Sequence, residues 1–392
     1  MKSTQRHPRL VLHIGDPKTG TTTIQRVLHD RLISCPSQEI LPWKRLNAIA
    51  VADSLKSDEE SRRRKQFRGV RNWLNKSDAD VAVVSSEFFA SVKPHILKAS
   101  LDAYLPDEFI EDLRIIAYVR PHASRFLAAF VQRTKTGQYF GDIEEFLTNL
   151  QNKEPLTFLF AKRFQRWESR FGDKFVLKPF IRSELRGGDI AEDFFEEILG
   201  SAPFTIEKKV EANIGVTIKS LAGLRRMHET LRDREVDAKT RGLLGGAMAN
   251  HFLGSQAAGG EKPKLDMETA KGVVSTFRSD AKDLDAAFFG KPLMEESLER
   301  CVDDTRDQRI DLTAELHFSQ DELASLDELS GRIAADIRTY RRLWALHYHM
   351  NHRKVRNYMI PPAEALIKLK AASKRVKAID DQLQSVAEIL GQ

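Results

Sequence analysis

The chain has 392 residues, 41% of them hydrophobic and 30% charged, with a formal net charge of +6. This is the composition of a chain that buries a core under a highly charged surface, long enough for one large domain or for two to three ordinary ones. Its positive excess favours an anionic partner, and two cysteines, Cys35 and Cys301, exclude a disulfide framework and a cysteine-built zinc site.

The apolar run near the N-terminus, Leu10–Ile14, is too short for the core of a signal peptide. No stretch of about 18 apolar residues is present to cross a membrane. With so few cysteines, a reducing compartment and hence the cytoplasm are expected. A nucleic-acid partner would call for basic residues interleaved with aromatic ones, a pattern the chain lacks.

The first part of the chain alternates strand-like and helix-like segments. Residues 9–14 (RLVLHI) read as a buried strand bounded by Gly15, and 22–32 as a helix with Ile24, Val27 and Leu28 on one side. Further buried strands are predicted at 81–84 (VAVV), 113–119 (LRIIAYV) and 174–180 (KFVLKPF), with helices at 121–135 and 190–199. Strands separated by helices imply βαβ units: an α/β fold with a mainly parallel sheet flanked by helices. The run Arg62-Arg63-Arg64-Lys65 belongs to an exposed helix and reads as a solvated face.

From about residue 213 the strand signals stop. Helices are expected at 218–231, 267–289, 321–347 and 363–390, with a flexible loop at 254–263 and a break at Pro361-Pro362. Leu323, Leu326, Ile333, Ile337, Tyr340 and Trp344 mark one apolar stripe. His347, His349 and His352 sit at loose metal-like spacing, but with no adjacent cysteine or paired acid they read as a polar helix end.

The chemistry concentrates where the first strand meets the first helix, in Gly15-Asp16-Pro17-Lys18-Thr19-Gly20-Thr21-Thr22. A strand feeding a glycine-bounded loop and then a helix aims several backbone N–H groups at one point, and the helix N-terminus adds partial positive charge. The spacing of Gly15 and Gly20 matches the nucleoside-triphosphate P-loop, G-x-x-x-x-G-K-[ST], but the next residue is Thr21 and the lysine stands earlier, at Lys18. Neither 81–86 nor 113–120 ends in the Asp that would hold magnesium. A phosphate-type ligand gripped by lysine without a metal fits this pattern better than a kinase or an ATPase.

The segment 13–22 resembles the 5′-phosphosulfate-binding loop of bacterial PAPS-dependent sulfotransferases (PAPS is 3′-phosphoadenosine 5′-phosphosulfate). The strand 113–119 followed by Arg120-Pro121 is similar to the family's second motif, which holds the donor's 3′-phosphate. Where that motif carries a serine, this chain has Ala128, and Ser124, one helical turn earlier, is the stand-in. Weaker likeness at 179–195, 213–224 and 277–298 extends the resemblance over roughly residues 9–298.

The resemblance implies a sulfotransferase-like PAPS-binding α/β domain at residues 1–300; residues 301–392, which it does not cover, read as a helical C-terminal extension for contacts with a partner or between copies. It implies donor binding by Asp16, Pro17, Lys18, Thr19, Gly20, Thr21, Thr22, Thr23, Arg120 and Ser124, with Lys18 neutralising the leaving phosphate and no metal taking part. The proton acceptor is expected at Glu87, after a predicted parallel strand, or at His122. His13 reads as a buried, hydrogen-bonded residue, and Gln132, Arg133 and Lys135 as solvent-facing or lining an acceptor's path. The acceptor is expected to be a hydroxyl of a glycan or small metabolite. Two other readings stay open: a P-loop kinase-like phosphotransferase, and a non-catalytic nucleotide-binding scaffold.

Overall fold

The computed structural model describes residues 7–153, 156–207, 216–254, 260–351 and 362–391. Its strands in chain order are β1 (Arg9–His13), β2 (Ile33–Ser34), β3 (Ile40–Pro42), β4 (Val81–Ser85), β5 (Arg114–Val119), β6 (Phe175–Pro179) and β7 (Thr205–Ile206). Five of them form one sheet in the order β3-β4-β1-β5-β6, with every pairing parallel, while β2 and β7 pair antiparallel. The expected α/β architecture, a parallel sheet flanked by helices and followed by a helical C-terminal region, is what the chain forms.

The four strands anticipated from apolar runs are present. Leu10 to His13, all of β4, and Ile115 to Val119 of β5 are buried, as strands covered on both faces must be. The edge strand β3 and the pair β2–β7 have only two or three residues each, too short to show a period.

The chain folds as two compact units. One comprises Met1–His122, Glu154–Ala212 and Phe277–Glu299, the other Ala123–Lys153, Asn213–Thr276 and Arg300–Gln392. The first holds both sheets. On one side of its parallel sheet, Val11, Val81, Val83, Ile116 and Tyr118 pack with Ile24, Val27 and Leu28 of helix α1 (Thr21–His29) and with Ile190, Phe194, Phe195 and Ile198 of the helix Ile190–Leu199. Helix α1 stops short of the expected residue 32 because Arg31 turns left-handed (φ 53°) and Leu32 N–H closes onto the Val27 carbonyl.

The second unit is helical. The helix Gln320–Asn351 buries Leu323, Leu326, Ile333, Ile337 and Trp344 as anticipated, whereas Tyr340 is only half-buried. Trp344 Nε1 donates to Asp380 of the helix Ser373–Gly391 at 2.8 Å. The single helix expected at 363–390 is two, Ala363–Ala371 and Ser373–Gly391. The first has no buried residue and the buried stripe begins only at Val376, so the two segments answer to different packing. Likewise the helix expected at 267–289 ends at Leu284 and continues as a π-turn, where buried Asp285 captures the N–H groups of Met294 and Glu295. Parts of the loop at 254–263, together with Pro361 and His352, lie outside the described residues. Among the described residues no helix is long and apolar enough to cross a membrane.

Candidate functional site

Strand β1 lies at the centre of the parallel sheet, between β4 and β5. The chain leaves β1 toward β3 and β4 on one side and leaves β5 toward β6 on the other. The C-terminal ends of β1 and β5 therefore flank a topological switch point, where open α/β sheets place their ligands. The loop 14–20 emerges from one of these ends and Arg120 from the other.

The loop is shaped by close contacts. A Cβ on Gly15 would overlap Oγ1 of Thr21, and one on Gly20 would lie 2.9 Å from Ile190, where the backbone also turns left-handed (φ 74°). Lys18 is left-handed too (φ 70°), an unusual conformation for a residue with a Cβ. Thr19 Oγ1 donates to the Asp16 carbonyl at 2.7 Å and closes the turn. The helix that follows begins at Gly20 with no side-chain cap; Thr23 N–H turns back to the Gly20 carbonyl at 2.8 Å, and the N–H groups of Thr21 and Thr22 ahead of it meet no side-chain acceptor, at the positive end of the helix. Thr19 and Thr21 are buried, Pro17, Thr22 and Thr23 half-buried, and the Lys18 side chain is exposed.

Asp16 is buried inside this loop and paired with Arg163, whose Nη1 donates to Asp16 Oδ1 at 2.8 Å. Arg163 is itself buried, its guanidinium 4.4 Å from the Phe164 ring centre and 5.2 Å from that of Phe160. It belongs to the helix Phe160–Phe171, whose first N–H groups, Phe160 and Ala161, donate to the carboxylate of Asp280 at 2.7 and 3.2 Å.

Arg120 follows β5, and its Nη1 donates to the carbonyl of Lys18 at 3.2 Å. Two residues anticipated from separate motifs, 102 positions apart, thus meet. His122 is fully enclosed: Nε2 donates to Asp280 Oδ2 at 2.8 Å, and the ring stacks between Phe160 and Phe277. This is the environment of a packing histidine. Ser124 and Ala128 are half-buried in the helix His122–Lys135 and, with Gln132, Arg133 and Lys135, belong to the helical unit. Arg133 is exposed and its guanidinium lies over the ring of Phe146.

β4 ends beside β1, with Ser85 in register with His13. His13 is fully buried, shares a 2.8 Å hydrogen bond with Ser85 Oγ, and is pushed down to about 3 by burial, so its imidazole is neutral. Gln25 of α1 donates to the same hydroxyl at 3.3 Å. Ser86 N–H donates to the His13 carbonyl at 3.1 Å, and Ser86 Oγ accepts from Phe88 N–H at 3.2 Å, capping the short turn Glu87–Ser91. Glu87 stands half-buried at the start of that turn.

His347 pairs with Asp380 at 3.0 Å, a helix-packing contact. Sequence motifs alone miss Arg163, Asp280 and Gln25. The spacing of Phe160, Phe164, Trp167 and Phe171 is a legible helix signal; what Arg163 reaches is not.

The crystal structure of a sulfotransferase from Alicyclobacillus acidocaldarius is similar to this chain with a TM-score of 0.35 and 13% sequence identity, covering 71% of this chain and 95% of that one. No protein-family model matches the chain, and no curated protein matches it. A likeness at that level adds nothing to the reading of the site, which rests on residues 14–22 and 120.

Proposed function

We propose that the chain is a sulfotransferase that moves a sulfuryl group from PAPS to a hydroxyl of a glycan or small metabolite, in line and without a metal. The observation that supports this reading most is the contact of Arg120 with the Lys18 carbonyl, at the ends of the two strands that flank the switch point. It gathers two cationic side chains and an open helix N-terminus at one place.

The residues present fit an anionic donor. The Thr21 hydroxyl is buried with no hydrogen-bond partner among the described residues, next to a glycine whose missing Cβ leaves room for close approach. The uncapped N–H groups of α1 and the hydroxyls of Thr21 and Thr22 hold a 5′-phosphate. Arg120 offers a planar fork of donors to a 3′-phosphate. PAPS, when bound, supplies an activated sulfuryl group attached to a phosphate leaving group.

Lys18 offsets the negative charge that builds on that leaving group, and its exposed ammonium has the reach to do so. Glu87 accepts the proton of the acceptor hydroxyl, because it stands at the end of the strand beside the loop, while His122 is enclosed and committed to Asp280. His13, neutral and buried, keeps the ends of β1 and β4 in register.

Calorimetric titration with PAP, the desulfated donor, tests the reading. The wild-type chain binds in the micromolar range, and Arg120→Ala weakens binding by roughly 10- to 100-fold, the worth of a charge-assisted hydrogen bond. No binding by the wild type, or product formation from labelled PAPS that stops on adding EDTA, would sink it.

A further inference from the structure

We infer that the first turn of the helix Phe160–Phe171 is the common anchor of both halves of the donor site, and that Arg163 is a positioning residue for the anion loop. The functional part of this inference rests on the donor-site reading above.

Asp16 poses an electrostatic problem. It places a buried carboxylate inside a loop whose N–H groups are set out for an anion, and a bare carboxylate there repels the ligand. Arg163 answers it with a 2.8 Å ion pair that neutralises Asp16 and ties the loop to a helix outside both motifs. Two phenylalanine rings hold the guanidinium, at 4.4 and 5.2 Å from its central carbon. Arg163 keeps Nε and Nη2 buried with no hydrogen-bond partner among the described residues. A pair left in that state is poorly suited to raising stability, so holding the loop in one geometry is the better account of it.

The same helical turn receives a second tie. Asp280 accepts from the N–H groups of Phe160 and Ala161 and from His122 Nε2, two residues beyond Arg120. Arg120 returns to the loop at the Lys18 carbonyl. The contacts close a ring: Asp16, Arg163, the first turn of the helix, Asp280, His122, Arg120 and Lys18. Every member lies in the sheet-containing unit. Freeing Arg163 opens the ring at the loop and takes from Asp16 its buried ion-pair partner.

The test uses the full chain as wild type, Arg163→Met, Arg163→Lys, Asp16→Asn and the double variant Asp16→Asn/Arg163→Met. PAP affinity is measured by calorimetry, and backbone amide exchange by mass spectrometry without ligand. Arg163→Met is expected to weaken PAP binding about tenfold or more and to speed exchange across residues 15–21, with β4 unchanged. Arg163→Lys recovers part of the affinity. The double variant binds better than independent losses predict, because the repulsive carboxylate is gone. A mere structural pair would lower the melting temperature and leave loop exchange and affinity alone. Affinity and loop exchange within twofold of wild type in Arg163→Met overturn the proposal; if that variant does not fold, the same result in Arg163→Lys and Asp16→Asn does so. If the wild type fails to bind PAP, the donor reading falls and the exchange measurement alone decides the anchor.

Discussion

Two turns leave the same end of the sheet side by side, one after β1 and one after β4, and they treat their backbone in opposite ways. After β4, Ser86 caps its own turn by accepting from Phe88 N–H, so the turn satisfies itself and what it presents outward is Glu87. After β1, no side chain caps the helix that starts at Gly20: Thr23 N–H turns back to the Gly20 carbonyl, and the N–H groups of Thr21 and Thr22 ahead of it take no side-chain acceptor. A turn that satisfies its own donors has none left for an anion; a turn that leaves them open needs one. The difference divides the labour proposed here: the β1 turn holds the donor, the β4 turn takes the proton.

The sharpest way to break that division is at Lys18. Lys18→Ala is expected to cut turnover of labelled PAPS by about 10²–10³-fold, as loss of one stabilising donor at a developing charge does. PAP affinity should change far less, and equal losses in both would assign Lys18 to binding alone. Next comes the other turn. Glu87→Gln keeps shape and removes the base, so kcat should fall by roughly 10²-fold with PAP affinity unchanged; near-normal turnover in this variant moves the proton acceptor elsewhere.

The smallest effect concerns the seam between the two turns. His13 has an ordinary value of 6.5 and is held at about 3 in the folded chain by burial. Between these values the unfolded chain binds a proton that the folded one refuses. Stability is therefore full above about pH 6.5 and falls as pH drops toward 3, by about 1.4 kcal/mol per pH unit for one such group. His228 in the helical unit, lowered to about 4 by burial, adds the same sign over a narrower window. Urea unfolding at a series of pH values reads the slope, and a flat profile from pH 6 to 4 contradicts a neutral buried His13.

Much of the site was legible because it is local. Gly15, Lys18, Gly20 and Thr21 to Thr23 are placed by backbone geometry within a few residues, and the strand before them announces itself as an apolar run. Arg120 was legible for the same reason, as a residue closing a strand before a proline. His122 shows the limit. In the sequence it is a titratable residue next to Arg120, and only packing reveals Phe160, Phe277 and Asp280 around it. Ser124 rests on helical spacing alone in the sequence, and in the structure it belongs to the helical unit.

The sequence by itself determined the parallel α/β order, the buried strands and the glycine-bounded loop at 15–20, since each follows from periodicity or from the φ that glycine permits. Tertiary structure decided which distant residues complete the site: Arg163 on Asp16, Asp280 between His122 and the helix Phe160–Phe171, and Arg120 on the carbonyl of Lys18. Those pairings span 147, 158 and 102 positions. A contact of that kind depends on where the sheet delivers each chain end, and no local pattern of residues encodes it.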